Sequence, residues 1–380
     1  MKILHVLPSL DQNYGGPLRI VLDLSARALS QGLDSTVLGI GPLHVQDHAF
    51  PRDRIHSLPL DSPAVYRYSR QLRPWLRQNL GRFDGIVLHG MWLYPNWAVA
   101  RECWAQRKRY ACFPHGMLDS YAVYRQGAWK RIKKILYWNW REHHVVRRSS
   151  CVFFTTQRER EKSSRTFPLP PAQLVLAPYG CEAAALQPIA SAATRPPGHK
   201  IALFLGRIHP KKNLEFLLEA WHAARLDCAW HLVIAGNAEP AYRTKLERLI
   251  RRLHLETQVH LVGFVTGEAK TCLLQLAHWF LLPSRQENFG VAVLEAISHG
   301  CPVAISDQVD LAESLPEASE VLPLASDSWT RFLRERMTDE NHRQNLIRAG
   351  RHFLAGGLRM ENVTSQWAAA IESVFASHFQ

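Results

Sequence analysis

Residues 280–302 read FLLPSRQENFGVAVLEAISHGCP, and few folds accommodate that order. Phe280, Leu281 and Leu282 have the character of a buried strand end, and Pro283 stops it. Ser284 to Asn288 are polar and predict a turn. Asn288 is the expected N-cap of a short apolar helix, Phe289 to His299. Gly300 and Pro302 stand where that helix should end. Strand, loop and helix start in this order leave unpaired backbone N–H groups at the helix mouth, which suits an anion.

Two carboxylates frame the unit. Glu287 lies in the loop. Glu295 lies inside the helix, where spacing groups it with Val291, Leu294 and Ser298. A carboxylate in such apolar company either reaches solvent or needs a partner, for example a ligand with hydroxyls.

These residues carry a resemblance. Glu287, Phe289, Gly290, Glu295, Ala296, Gly300, Pro302 and Val303 stand at the offsets of the donor-site signature of retaining GT-B glycosyltransferases of the family four type. The resemblance implies that Glu287 contacts donor-sugar hydroxyls and that Glu295 binds the nucleotide ribose. It also implies that backbone amides at Asn288, Phe289 and Gly290 hold the sugar and phosphate.

A chain of 380 residues suits two domains rather than one core. No apolar run reaches the roughly 18 residues needed to span a membrane, and MKILHVLPSL reads as a first strand, not a leader. Seven cysteines are scattered singly with no C-x-x-C pair, which predicts reduced thiols in a cytoplasm and no zinc site. A net charge of +13 implies an anionic partner: nucleic acid, an acidic membrane surface or a phosphorylated substrate.

Short apolar runs alternate with helical patterns along most of the chain, which predicts parallel sheets with ligands at the carboxyl ends of the strands. Expected strands include Ile3–Leu7, Gly32–Ile40, Gly85–Leu88, Tyr110–Phe113, Cys151–Thr155, Ile201–Leu205, His231–Ala235 and Val303–Ser306. Expected helices include 18–29, 66–79, 92–107, 214–224, 241–253, 327–355 and 360–375, with 42–62 irregular. Gly15 and Gly16, between the first strand and its helix, let a ligand approach the backbone or simply make a turn. The resemblance places that glycine pair near the donor phosphate. They are not a G-x-G-x-x-G fingerprint, so a dinucleotide fold loses support.

His115 follows a strand end, in Pro114-His115-Gly116. A lone histidine there is as readily structural as functional; the resemblance implies that it faces the donor sugar. His89-Gly90 is a similar, weaker candidate. Arg207 and Lys212 flank a strand-to-helix turn, the arrangement a diphosphate leaving group needs. Gly206-Arg207 and Lys212-Asn213 also match the pyrophosphate motif of the same family.

From Tyr121 to Ser150 eight basic residues oppose one acid, and Trp129, Ile132, Leu136 and Trp140 recur at helical spacing. The pattern fits either a domain helix with a solvated basic face or a helix, 125–148, lying on an anionic membrane. After HGMLD it also resembles a branch of these transferases that builds bacterial surface polysaccharides.

The expected architecture is α/β, two doubly wound Rossmann-like domains facing a cleft. Residues 1–182 form the acceptor-side domain, 183–199 a linker and 200–358 the nucleotide-sugar domain. A last helix, 359–380, returns toward the first domain. The resemblance implies a retaining, metal-independent hexosyltransferase, in the cytoplasm or peripheral on the inner face of the membrane. It would move a sugar from a nucleotide diphosphate sugar to a hydroxyl of a glycan or lipid-linked acceptor, in polysaccharide or lipopolysaccharide synthesis, without a cofactor. Asp307-Gln308-Val309-Asp310 departs from the Gly-Gly and Glu of many relatives. Alternatives are a sugar-nucleotide epimerase of the same fold, a scaffold, and a basic nucleic-acid binder. No RRM, KH or zinc pattern supports the last, so no nucleic acid is expected.

Overall fold

A computed structural model of the chain describes residues 1–11, 16–45, 48–124, 127–170, 174–182 and 198–376. Contacts divide it into unit 1, Met1–Tyr179 with Glu361–Gln380, and unit 2, Gly180–Met360. Most of the stretch 183–199, read from sequence as a linker, lies outside the described residues.

Unit 1 alternates strand and helix: β1 Lys2–Leu7, α1 Pro17–Ala28, β2 Asp34–Ile40, β3 Ile55–Leu58, α2 Leu72–Asn79, β4 Gly85–His89, α3 Tyr94–Ala105 and β5 Tyr110–Phe113. It continues through α4 Ser120–Tyr124, α5 Ala128–Tyr137, α6 His143–Arg147, β6 Cys151–Phe154, α7 Gln157–Thr166 and β7 Leu174–Leu176. The strands form one seven-stranded parallel sheet in the order β3-β2-β1-β4-β5-β6-β7. Strand alternation sends Leu4 and Val6 of β1 to one core with Ile86 and Leu88. Leu7 goes to the other face, with Leu22 and Val37.

Unit 2 repeats the plan with β8 Lys200–Leu205, α8 Leu214–Ala224, β9 Trp230–Ala235, α9 Pro240–Arg252, β10 Val259–Gly263, α10 Gly267–Leu276 and β11 Trp279–Leu282. Then come α11 Val291–Ser298, β12 Val303–Ser306, β13 Glu320–Leu322, α12 Ser326–Arg331 and α13 Glu340–Phe353. Its six strands run in the order β10-β9-β8-β11-β12-β13, all parallel. Trp221, Trp230, Trp279, Trp329 and Phe280 are fully buried in it. The final helix α14, Met360–Ala376, sends Trp367 against His5, Phe113 and Phe153 of unit 1.

Both sheets are of the Rossmann-like α/β type, as the alternation predicts. The order changes direction beside β1 in one sheet and beside β8 in the other, and ligand sites gather at such switch points.

Several element readings need correction. The stretch 42–62 contains β3, an edge strand paired Val37↔Ile55; only Leu58 of its four residues is buried, so no pattern marks it. The helix expected over 66–79 begins only at Leu72, because Arg67 adopts a left-handed φ of 55°. Trp92, expected as helical, is also left-handed at 72°, and α3 starts at Tyr94 with a proline in its first turn. The helix over 327–355 is interrupted before Asp339, whose side chain caps α13 by accepting the His342 N–H at 3.1 Å. Among the described residues no helix is long and apolar enough to cross a membrane.

Candidate functional site

In unit 2 the candidate residues gather at the carboxyl ends of β8 and β11. The loop after β8 carries Arg207 exposed and Lys212 half-buried. The loop after β11 carries Glu287, which forms an ion pair with Lys212; the two side chains keep only 17% and 16% exposure. Arg285 stitches the loops together: its backbone N–H donates to Lys211 O at 2.9 Å and its Nε to Asn213 Oδ1 at 2.8 Å. Burial alone would raise the Glu287 pKa. Lys212, Lys211 and Arg207 outweigh it and hold the carboxyl below its usual range.

Two glycines let the loops after β8 and β9 lie close. Gly206 and Gly236 both take φ near 150°, at 154° and 152°, where the strands β8 and β9 end. A Cβ on Gly236 would sit 1.8 Å from Gly206 O. Only glycine permits that approach.

The Asn288 reading changes. Gly290, at φ 74°, is the N-cap of α11, and no side chain caps the helix. Asn288 is buried and its Oδ1 has no hydrogen-bond partner; the same holds for Gln286 Nε2 beside it. A buried polar atom in this state calls for an explanation, and a bound ligand is one. Phe289, next in the chain, is buried at 2% exposure and anchors the loop.

Glu295 does have a partner that sequence did not indicate. Lys270 of α10 donates to its Oε1 at 2.6 Å. Gln308 and Asp310, in the segment that departs from the family pattern, clamp the Glu287 backbone. Glu287 N–H donates to Gln308 O at 3.2 Å and Asp310 N–H donates to Glu287 O at 2.9 Å. A register between distant loops sets these contacts, and no motif spacing encodes it.

In unit 1, Gly16 immediately precedes α1, whereas Gly15 lies outside the described residues. His115 follows β5 at a left-handed φ of 53° and borders a small pocket with Pro8, Ser9, Asp11, His89 and Met117. Both of its ring nitrogens are engaged. Nε2 is 2.9 Å from His89 Nδ1, and Nδ1 pairs with the Tyr179 hydroxyl. The turn is fixed by buried Glu159: the Gly116 N–H donates to its Oε1 at 2.6 Å and the Thr155 N–H to its Oε2 at 2.7 Å. Thr156 caps α7, accepting the Glu159 N–H at 3.0 Å. The grip of Glu159 on Gly116, 43 positions away, is a tertiary contact.

The basic segment read as one helix over 125–148 divides in two: Trp138, Glu142, Val145 and Val146 are buried in unit 1, and the stretch before them is open. No residue of α5 is buried. Trp129, Leu136 and Trp140 expose 77%, 62% and 66% of their surface. Arg131, Lys130 and Lys133 flank them, also exposed.

Both halves of the chain match known families. Residues 15–180 match the model of the Glycosyl transferase 4-like domain, and residues 188–353 that of Glycosyl transferases group 1. Alpha-D-kanosaminyltransferase of Streptomyces kanamyceticus is 32% identical over 184 residues, 44% of this chain and 45% of that protein. The chain thus spans less than half the length of that relative. GDP-mannose:cellobiosyl-diphosphopolyprenol alpha-mannosyltransferase of Xanthomonas campestris is 24% identical over 81% of this chain and 79% of its own. The structure of Anabaena Alr3699/HepE in complex with UDP and glucose shares the fold, with a TM-score of 0.78 at 15% identity over 98% of this chain and 100% of that one. The structural neighbours are GT-B glycosyltransferases. The chain, matched in both of its halves, belongs to the group 1 glycosyltransferases of GT-B fold.

Proposed function

We propose that the protein is a retaining glycosyltransferase that takes a sugar from a nucleotide diphosphate sugar without a metal and places it on a hydroxyl of a glycan or lipid-linked acceptor. Polysaccharide or lipopolysaccharide synthesis is the setting. The observation that carries this reading is the pairing of Lys212 with Glu287 beside Arg207, at the switch point of unit 2. Lys212 gives one N–H to Glu287 and has two more to offer; together with Arg207 it would neutralise a departing diphosphate. Glu287, kept ionised by these cations, would accept hydrogen bonds from sugar hydroxyls. The partnerless Gln286 and Asn288 atoms would complete the donor contacts, with Phe289 and Gly290 shaping the loop and Glu295 receiving the ribose.

In the reaction the bond from the anomeric carbon to the diphosphate oxygen breaks, and the acceptor oxygen bonds the same carbon on the same face. The acceptor proton passes to the departing phosphate. Unit 1 would serve the acceptor, with Gly16 and His115 as its candidate site residues. The X. campestris relative is named for a diphosphopolyprenol acceptor, which favours a lipid-linked one here. An epimerase would release free nucleotide with no glycosylated product.

The test is equilibrium binding of UDP-, GDP- and ADP-sugars to the wild type and to an Arg207→Ala/Lys212→Ala variant. We expect one tight donor and a loss of at least about 100-fold in the variant. Equal binding by both proteins would overturn the assignment.

The second part of the proposal is that α5 rests on an anionic bilayer surface, which would place the protein in the cytoplasm against the inner face of the membrane. A helix with no buried residue, Trp129 exposed on it, Trp140 exposed in the turn that follows and cations on its flanks, matches the chemistry of a charged lipid interface. Vesicles of phosphatidylglycerol should sediment the protein and vesicles of phosphatidylcholine should not. Trp129→Ser/Trp140→Ser should abolish the difference; retention of binding by that variant would sink this part.

A further inference from the structure

Three histidines from three strands meet inside unit 1. His5 belongs to β1, His89 ends β4 and His115 follows β5. His5 and His89 are buried at 0% and 1% exposure. His5 Nδ1 lies 3.1 Å from His89 Nε2, and His89 Nδ1 lies 2.9 Å from His115 Nε2. The row reaches a hydroxyl on each side. Ser35 Oγ is 3.4 Å from His5 Nε2, and Tyr179 OH pairs with His115 Nδ1. His89 and His115 stack at 5.1 Å with planes 11° apart, and Trp367 stacks on His5 at 6.0 Å.

Hydrogen-bond counting makes this row cooperative. A neutral imidazole has one N–H and one lone pair. In a row of neutral rings joined nitrogen to nitrogen, every N–H must point the same way. Either all three carry the proton on Nδ1, so that His115 donates to Tyr179, or all three carry it on Nε2, so that Tyr179 donates to His115 and His5 to Ser35. Mixed arrangements place two N–H groups or two lone pairs face to face. Burial keeps the rings neutral: it lowers His5 and His115 to about 3 and His89 well below its usual value.

We propose that His89 and His5 are positioning residues, which fix the tautomer and ring plane of His115 as one all-or-none unit ending on Tyr179. The proposal rests on the reading of His115 as a site residue. It goes further by giving the row a state: a ligand that demands one tautomer of His115 must turn all three. Tyr179 is the last residue of unit 1 before the chain enters unit 2, so the same state reaches the residue next to the crossover.

The experiment uses the full chain labelled with 15N-histidine, with two-bond proton–nitrogen spectra assigned through single variants. We expect His5, His89 and His115 each to be a single tautomer, the same one in all three. His89→Phe keeps a ring but no hydrogen bond; it should leave His115 in a tautomer mixture. It should also lower kcat about 10-fold for release of nucleoside diphosphate from UDP-glucose or GDP-mannose, with KM little changed. His89→Asn, whose amide takes the place of Nδ1, should restore most of both. His5→Phe, at the far end of the row, gives the same test if the His89 variants fold poorly. Mixed tautomers in the wild type would overturn the proposal, as would equal loss in His89→Phe and His89→Asn with His115 unchanged. If His115→Phe turns over donor normally while the wild-type row is ordered, the site reading of His115 fails and the ordered row stands.

Discussion

The two sheets share one topology and equip their switch points in opposite ways. Unit 2 uses charge near solvent: Arg207 is exposed and Lys212 and Glu287 form a partly covered ion pair. Unit 1 uses neutral groups: three imidazoles, with His5 and His89 buried and His115 partly exposed, and a phenol, held by one another. A charged cluster announces itself by residue type, because cations beside a helix start have few structural uses. A neutral network does not, because histidine and tyrosine are ordinary core residues. The difference also sets how each half responds to mutation and to pH.

The largest effect expected is at Gly236, where β8 and β9 deliver their loops. Gly236→Ala puts a Cβ against Gly206 O, and the backbone must move to clear it. Unit 2 should lose its folded state at 37 °C or lose donor binding entirely; thermal unfolding of the purified variant checks this. The corresponding change in unit 1, His115→Gly, relieves a left-handed φ and should leave the fold intact.

Next is the ion pair. Lys212→Ala leaves Glu287 covered beside Arg207 and Lys211 only, and should cost about 1–3 kcal/mol of stability, measured by urea unfolding. A cost near zero would mean that the two remaining cations take over the whole task.

The pH responses differ in position. The histidines of unit 1 have folded pKa values lowered to about 3 for His5 and His115, against 6.5 when unfolded. The unfolded chain therefore binds more protons between those values, and stability falls as pH drops below about 6.5. Glu287 is depressed, so its contribution persists until pH falls below the ordinary carboxylate range. Hydrogen exchange at about pH 5.5 and pH 7.5, corrected for intrinsic rates, should show the strands that carry His5 and His89 loosening while the loop of Glu287 holds. Glu142, buried and raised to about 7, works in the reverse sense within unit 1. It accepts the Trp92 N–H at 2.8 Å, and Glu142→Gln keeps that acceptor while removing the cost of charge. The variant should melt a few degrees higher at about pH 8 and unchanged at about pH 5.

The smallest effect concerns α5. Trp129→Ser/Trp140→Ser removes side chains that no core covers, so stability should change by less than about 0.5 kcal/mol. A larger loss would show that the helix packs more firmly than its exposure indicates.

Much of the fold was legible because buried parallel strands are continuous apolar runs and the helices between them start and stop at glycine and proline. The places where the reading failed share a cause. β3 and β13 are edge strands of four and three residues with little burial, so hydrophobic pattern carries no signal for them. Trp92 and Arg67 take left-handed backbones that their side chains do not favour, under tertiary constraint; Trp92 N–H answers Glu142, fifty positions away.

Sequence alone determined the alternation of strand and helix, the charged residues of unit 2 and the exposed basic stripe, since each depends on residue type at fixed short spacing. Only the tertiary structure decided which partner each group found. It took Asn288 off the helix cap, gave Lys270 to Glu295, set Gln308 and Asp310 around Glu287, and joined His5, His89 and His115. Those contacts arise from strand order and register. Residues 5, 89 and 115 come within hydrogen-bond reach only because β1, β4 and β5 lie side by side in one sheet.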